Sequence, residues 1–311
     1  MTRSDKIMVA VCSYNAAHYL PDLLNELVRQ NCSIPFEILI VDNNSTDGTY
    51  ALIDQYAASS SIPIRYVNEP EQGIPFARNR AIEESLSNRY LAFIDADELP
   101  FTGWLQAAVD TLIDDQIDCV GGKISIYLPD RPTWLSDDLL PFYGEIDHSD
   151  QAFDIKDRST PIWSGNIAYN TRIFHKGLRF DTRYNRKGKG VGGGSDGIMF
   201  RHFIEHGLRL RYEPNMAIRH LIPDEKINRR YFLKLHFVAG KKAGLYEKRP
   251  SGKKIAGIPR YMYKQLLAKL LLVLRLYFTR PNAYMREAMN LAYHIGSMSG
   301  LYQSQSNDAH G

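Results

Sequence analysis

Apolar and polar positions alternate in blocks along the first half of the chain. Residues 7–12 (IMVAVC) form a compact apolar run, and Tyr19, Leu20, Leu23, Leu24, Leu27 and Val28 then recur at helical spacing. Residues 36–41 (FEILIV) predict a second strand, and Thr46-Asp47-Gly48-Thr49 opens a helix to about residue 58, with Asp47 or a nearby Ser/Thr as its cap. The pattern continues with a strand at 62–67, a helix at 75–86, a strand at 90–94 (YLAFI), a helix carrying Trp104, Leu105, Ala108, Val109 and Leu112, and a strand at 117–127. Near-continuous apolar strands separated by amphipathic helices predict an α/β fold with a mostly parallel central sheet, Rossmann-like and covered by helices. In such a sheet, ligands collect at the carboxyl ends of the strands.

Beyond residue 127 the pattern loosens. Residues 128–162 hold Pro129, Pro132, Pro141 and Pro161 among scattered acids and predict an excursion with little regular structure. A strand at 165–170, a Gly-rich stretch at 188–194, a helix at 196–206 and a strand pair at 208–220 interrupted by Pro214 follow. From Asn228 the pattern is helical, broken by Pro250-Ser251-Gly252, Pro259 and Pro281. Two domains are therefore expected, residues 1–225 and a basic, mainly helical extension at 226–311.

Composition is that of an ordinary globular chain, 44% hydrophobic and 23% charged, but charge is unevenly placed. Between Lys226 and Arg280 stand fifteen Lys or Arg and one acid, Glu247; that segment carries +14, leaving −11 for the rest of a chain of net charge +3. Such an asymmetry predicts an anionic partner for the tail. Cys12, Cys32 and Cys119 form no CxxC pair, which fits a reducing compartment. Met1 to Lys6 is short and polar, so no signal peptide is expected and the cytoplasm is the expected address.

Polar residues cluster where the apolar strands end: Ser13-Tyr14-Asn15 after the first, Asp42-Asn43-Asn44 after the second, Asp95-Ala96-Asp97 after the fourth. Buried strand tips carry carboxylates only where partners compensate them, so three such tips on one edge describe a pocket mouth. In an extended segment residues i and i+2 face the same way, so Asp95 and Asp97 can address one ion or one ligand. Their hard oxygens suit Mg²⁺ or Mn²⁺, ions that keep waters and bridge to substrate phosphates. Capping of the next helix is the competing reading of Asp42.

The order VAVCSYN (9–15), ILIVDNNSTDGT (38–49), EQGIPFARNRAIEES (71–85) and LAFIDADE (91–98) resembles the inverting family 2 glycosyltransferases of the GT-A fold. GGGSDGIMFRHFIEHGLRLRYEPNMAIRH (192–220) resembles that family's second signature, and the later part is most similar to bacterial exopolysaccharide transferases of the succinoglycan glucosyltransferase type. The resemblance covers about residues 7–222. It implies that Ser13, Tyr14 and Asn15 lie at the nucleotide, and that Asp42 accepts from a pyrimidine N3–H, which suits uracil or thymine. It also implies that Arg78 reaches base, ribose or phosphate, that Asp95 holds the ribose, and that Asp97 ligates Mn²⁺ or Mg²⁺ with His220 able to complete the metal site. Trp163-Ser164-Gly165-Asn166 would line the donor-sugar and acceptor pocket, with core packing the alternative for Trp163. Asp196 matches the catalytic Asp, the base that takes the acceptor proton on the face opposite the leaving diphosphate. The family's usual Glu before it is Ser195 here, which keeps open a nucleotide-sugar-binding scaffold without turnover.

Gly188 to Gly194, with Lys187 and Lys189, reads as a loop closing over the pyrophosphate or as a plain connector. A sugar nucleotidyltransferase would share the sheet and the metal, but Ser13-Tyr14-Asn15-Ala16-Ala17 lacks the Gly-rich phosphate loop that activity needs after strand one. In the tail, Ile258 to Phe278 is an apolar helix divided by Lys264, Lys269 and Arg275, too interrupted to span a bilayer. With the basic residues of 226–280 it fits a helix lying on the anionic inner face of the cell membrane, where a lipid-linked acceptor would be found. Packing on the catalytic domain, or against a second copy in a homodimer, is the alternative. No nucleic-acid motif accompanies the charge, so nucleic acid is not expected as a partner.

Overall fold

Unbroken apolar runs become strands buried on both faces. In the computed structural model, which describes residues 4–185, 192, 194–247, 250–280 and 283–308, the chain opens with β1 (Ser4–Ser13), α1 (Leu20–Val28), β2 (Phe36–Asp42), α2 (Thr49–Ser59), β3 (Ile64–Asn68), α3 (Ile74–Ser85) and β4 (Asn88–Asp95). Ile7 to Val11, Ile38 to Val41 and Tyr90 to Ile94 are each at most 1% exposed, as strands covered by helices on both sides must be. The chain goes on through β5 (Glu98–Pro100), α4 (Trp104–Leu112), β6 (Cys119–Tyr127), β7 (Phe153–Ile155), β8 (Asn166–Asn170), α5 (Ser195–Glu205) and β9 (Leu210–Leu221). Among the described residues these strands form one sheet in the order β3-β2-β1-β4-β8-β6-β9-β5, with β7 beside β9. β3, β2, β1 and β4 are parallel, as are β6 and β9, whereas β8 runs antiparallel between β4 and β6.

The expected strand pair at 208–220 is instead one strand, β9. Pro214 does not end it, because the missing N–H falls in a wide bulge: Gly122 pairs with Glu213, but Ile124 pairs with Ile218. The bulge folds Met216 O onto Gly122, where a Cβ would come within 1.7 Å of it. Only glycine fits at 122.

The chain folds as two compact units. The first comprises Met1–Pro129, Tyr143–Gly188 and Gly194–Ile222 and holds the sheet; the second comprises Asp130–Phe142, Lys189–Gly193 and Pro223–Gly311. Part of the expected excursion at 128–162 thus belongs with the tail. Trp134 meets the Phe232 ring edge-on at 5.7 Å and Phe142 meets His236 at 4.6 Å.

The second unit is built from α6 (Arg229–Lys242), a π-helical turn at Ala243–Glu247, a hairpin of β10 (Lys254–Ile255) and β11 (Ile258–Pro259), α7 (Arg260–Thr279) and α8 (Tyr284–Asp308). Asn228 caps α6, its side chain accepting from Tyr231 N at 2.9 Å. The helix expected from Ile258 starts two residues later, because Ile258 and Pro259 pair with Ile255 and Lys254 as a strand. α6 and α8 cross at glycine: a Cβ on Gly240, Gly244, Gly296 or Gly300 would lie within 2.3 Å of backbone oxygen on the opposing segment. Among the described residues no helix is long and apolar enough to cross a membrane.

Candidate active site

Parallel register does the first work of assembly. It sets Ser13 beside Asp42 and Cys12 beside Asp95, so the polar tips of β1, β2 and β4 share one edge of the sheet. The Ser13 hydroxyl is buried there with no hydrogen-bond partner among the described residues. Asp42 is 3% exposed. Its Oδ1 accepts from the Ser45 backbone N–H at 3.1 Å and from the Ser45 hydroxyl, and its Oδ2 accepts from Tyr66 OH at 2.9 Å. Burial, then the bond to Asp42, pushes the Tyr66 phenol up to about 12. With one carboxylate oxygen crowded by Ser45, Oδ2 is the atom with acceptor capacity to spare. Asn15, in the left-handed region at φ 49, spends its side chain on the loop, accepting from Thr46 N at 2.8 Å; Asn15 N–H donates to Ser45 Oγ at 2.8 Å. Tyr14 is half-buried at the same tip. The N-cap position of α2 is Gly48, with no side-chain cap; Asp47, one residue earlier, accepts from Thr49 N at 3.0 Å.

α3 brings the cation. Its start is fixed by Gly73 at φ 145, whose N–H donates to Asn43 Oδ1 at 2.5 Å and where a Cβ would collide with the Asn185 side chain at 1.7 Å. Pro75 follows in the first turn. One turn on, Arg78 is 2% exposed and reaches two carboxylates at once. Its Nη2 donates to Asp95 at 3.1 Å and its Nη1 to Asp196 Oδ1, while its guanidinium lies 5.6 Å from the Phe180 ring centre. Burial works against that charge, but Asp196 and Asp95 outweigh it and hold the guanidinium above its ordinary pKa. Arg78 Nε is buried and has no partner among the described residues. Asp196 sits in the first turn of α5, behind Gly194 at φ 94, where the helix dipole favours a carboxylate. Ser195 is buried. Cys12 lies close to all three charges, and burial pushes its thiol up to about 12.

β5 and β9 place the other carboxylate. Antiparallel pairing sets Glu98 opposite His220, and Leu221 N–H donates to Asp97 O at 2.8 Å. Asp97 Oδ2 and His220 Nε2 then stand 3.5 Å apart. Behind them Glu98, 3% exposed, accepts from Asp95 N at 2.8 Å. A Cβ on Gly165 would come within 2.5 Å of Glu98 Oε1, so glycine makes room for it. Burial, then the neighbouring charge of Asp95, pushes Glu98 from its ordinary 4.5 up to about 8, with His220 acting the other way.

Not every expected residue joins this group. Asn166 is a core residue: it is fully buried, its Oδ1 accepts from Trp104 Nε1 at 2.7 Å, and its Nδ2 donates to Lys123 O and Met216 O. Both ends of the amide are engaged inside the protein, which corrects the expectation that it meets the donor sugar. Trp163 packs on the core but stays partly exposed, so the structure leaves both of its expected roles open. Lys187, Lys189 and most of the Gly188 to Gly194 stretch lie outside the described residues. Glu98, Tyr66 and Phe180 had no role assigned from the sequence. Glu98 was signalled by its place directly after Asp97; nothing in the pattern marked the other two.

Among the described residues the site thus brings together the carboxyl groups of Asp42, Asp95, Asp97, Glu98 and Asp196 and the guanidinium of Arg78. Among the described residues no three His, Cys, Asp or Glu are grouped to hold a metal unaided. Asp97 and His220 offer one oxygen and one nitrogen side by side, a set that fits Mn²⁺ or Mg²⁺ when diphosphate oxygens and water supply the other ligands. The family model described as glycosyl transferase family 2 matches residues 8–178, more than half of the chain. The chain belongs to glycosyltransferase family 2. Among family 2 relatives and related proteins, it is similar to glycosyltransferase AglE of Haloferax volcanii, with 33% identity over 128 residues covering 41% of this chain and 42% of AglE. It is also similar to the succinoglycan biosynthesis protein ExoM of Rhizobium meliloti, with 23% identity over 248 residues covering 76% of this chain and 74% of ExoM. Matched to AglE, the chain spans well under half of that relative's length. The GT-A fold is shared with the mannosyltransferase PcManGT of Pyrobaculum calidifontis, solved with GDP-Man and Mn²⁺ (TM-score 0.57, 19% identity, covering 100% of this chain and 80% of that one). It is shared too with S. aureus TarS 1–349, solved with UDP-GlcNAc (TM-score 0.55, 14% identity, covering 97% and 92%).

Proposed function

We propose that this family 2 glycosyltransferase moves a hexose from a UDP- or dTDP-activated donor, with inversion, onto a glycan or lipid-linked acceptor in surface polysaccharide biosynthesis. The observation that carries the reading is Arg78, buried and bridging Asp95 at the donor edge to Asp196 at the start of α5. It joins a carboxylate suited to the ribose with one suited to proton transfer. In the step itself the acceptor oxygen forms a bond to the sugar C1 as the C1–oxygen bond to the diphosphate breaks. The acceptor proton goes to Asp196, and the bond's electron pair leaves with the diphosphate. Asp97 and His220 would hold Mn²⁺ or Mg²⁺, which when bound offsets charge on the leaving diphosphate. Asp42 Oδ2 and the buried Ser13 hydroxyl would face the base, with Tyr14 beside it; Trp163 would stack on a sugar. The names of relatives support the setting: ExoM is a succinoglycan biosynthesis protein, and TarS carries the name poly(ribitol-phosphate) beta-N-acetylglucosaminyltransferase. Residues 1–225 would make up the transferase domain. The basic residues of 226–280 would meet the inner face of an anionic membrane and bring the site to a lipid-linked acceptor.

Thermal denaturation with a panel of nucleotide sugars tests the donor and metal assignments. A ligand at roughly a hundred times its dissociation constant stabilises by about 2.7 kcal/mol, enough to raise Tm by a few degrees. That rise is expected with UDP- or dTDP-sugars plus Mn²⁺, and is expected to disappear with chelator or in Asp97→Asn. A rise confined to GDP-sugars, or one indifferent to metal, would overturn the assignments.

A further inference from the structure

α7 inverts the usual arrangement of a surface helix. Met262, Leu266, Val273 and Leu276 lie on one stripe of it, and Met262 and Leu266 pack with Met298 and Leu301 of α8. The opposite stripe should be polar. Instead Leu267, Leu270, Leu271, Leu274 and Phe278 follow one another at i, i+3, i+4, i+7 and i+11, and they are 59%, 44%, 58%, 48% and 80% exposed. A contiguous apolar stripe of this kind marks a contact surface. The hairpin before the helix adds Ile255, 50% exposed.

Charge identifies the occupant. No Asp or Glu occurs between Glu247 and Glu287, whereas Lys253, Lys254, Arg260 and Lys264 gather at one end of α7 and Arg275 and Arg280 at the other. A second copy docking symmetrically would lay this cationic strip against itself, with no acid to offset it. An anionic bilayer supplies both things the surface lacks, acyl chains for the leucines and phosphates for the cations. Long basic side chains can keep their stems on the apolar stripe and their heads at phosphate level. Tyr261, Tyr263 and Tyr277, exposed at the two ends, suit the same boundary.

We propose that α7 lies in the plane of an anionic bilayer, with the Leu267–Phe278 stripe among the acyl chains and the six flanking cations at the headgroups. This deepens the function proposed above and rests on it for the acceptor's place; the contact itself is read from the second unit alone. It also narrows the contact from residues 226–280 to the hairpin and α7.

The test is flotation of the full chain with vesicles of phosphatidylcholine alone or with roughly a third phosphatidylglycerol, at low and high salt. The wild type is expected to float with the anionic vesicles and to be released by salt. The Leu270→Glu/Leu274→Glu variant, altered only at exposed positions and checked for fold by circular dichroism, is expected to bind at least tenfold more weakly, as a rough guide from burying leucine-sized apolar area. Lys264→Ser/Arg275→Ser should lose binding to anionic vesicles by about tenfold or more. A wild type that stays in the aqueous phase, or leucine variants that float as well as it does, would overturn the proposal. So would a wild-type dimer that the leucine variant breaks, which assigns the stripe to a second copy. Release of UDP in vesicle-free solution, measured in parallel, separates the two readings. Turnover without flotation sinks only the membrane contact; flotation without turnover supports the contact and sinks only the transfer reaction.

Discussion

A guanidinium with 2% of its side chain exposed is costly to bury unless carboxylates meet it, and Arg78 has Asp95 and Asp196. The same pair of bonds fixes those carboxylates at opposite ends of one planar fork, an arrangement lysine could not reproduce. Asp95 is held from behind as well, by the carboxyl of Glu98 on its backbone N–H. Glu98→Ala leaves that N–H without its acceptor and is expected to destabilise the chain by about 1–3 kcal/mol. Glu98→Gln keeps an oxygen acceptor and removes the acid. Because the folded pKa is raised to about 8 from the ordinary 4.5, the folded chain binds more protons across that window, and the stability Glu98 contributes falls as pH rises through it. The glutamine variant should therefore match the wild type near pH 4.5 and be at least as stable at pH 7, with the gap widening toward pH 8. Urea titrations at the three pH values check this, and a glutamine variant as weak as the alanine one would contradict it.

Long apolar strands and their helices were legible from periodicity alone, because β1, β2 and β4 are buried on both faces and leave no polar position to confuse the pattern. β9 was not, since Pro214 normally interrupts a strand and only the bulge opposite Gly122 lets it continue. The antiparallel course of β8 was equally hidden: a five-residue strand buried throughout reads the same in either direction. The pairing of α6 with α8 had a signal in the small-residue spacing Gly240-x-x-x-Gly244 and Gly296-x-x-x-Gly300, which apolar periodicity passes over. A Cβ on Gly300 would lie 2.1 Å from Lys241 O, and backbone cannot step aside as a side chain can. Gly300→Leu is therefore expected to destabilise by about 3 kcal/mol or more, the upper end for overpacking. It should lower the midpoint of unfolding followed by circular dichroism. A loss under about 0.5 kcal/mol, the level of an ordinary surface change, would mean the helices do not cross so closely.

Across the whole chain, charge and chemistry are segregated. The acidic body carries the sheet edge with Asp42, Asp95, Asp97 and Asp196, while residues 226–280 carry +14. The strand-end carboxylates were visible in the sequence because each follows an apolar run, and the family resemblance supplied their order. Arg78 as the bridge between Asp95 and Asp196 was not visible, since these residues come from three separate elements that only the fold brings together. Asn166 failed for the opposite reason: its neighbours in sequence suggested a pocket, but Trp104 and two backbone carbonyls claim its amide. In the proposed transfer reaction Asp196 is the base, while donor binding rests on other residues. The most direct measurement is UDP release from a UDP-sugar with Mn²⁺ and acceptor, for the wild type and Asp196→Asn, with donor affinity measured alongside. A fall in turnover of about 10²–10⁴, with donor affinity changed by no more than a few-fold, is expected for loss of a general base. Equal turnover in the two proteins, or none in either despite donor binding, would contradict it.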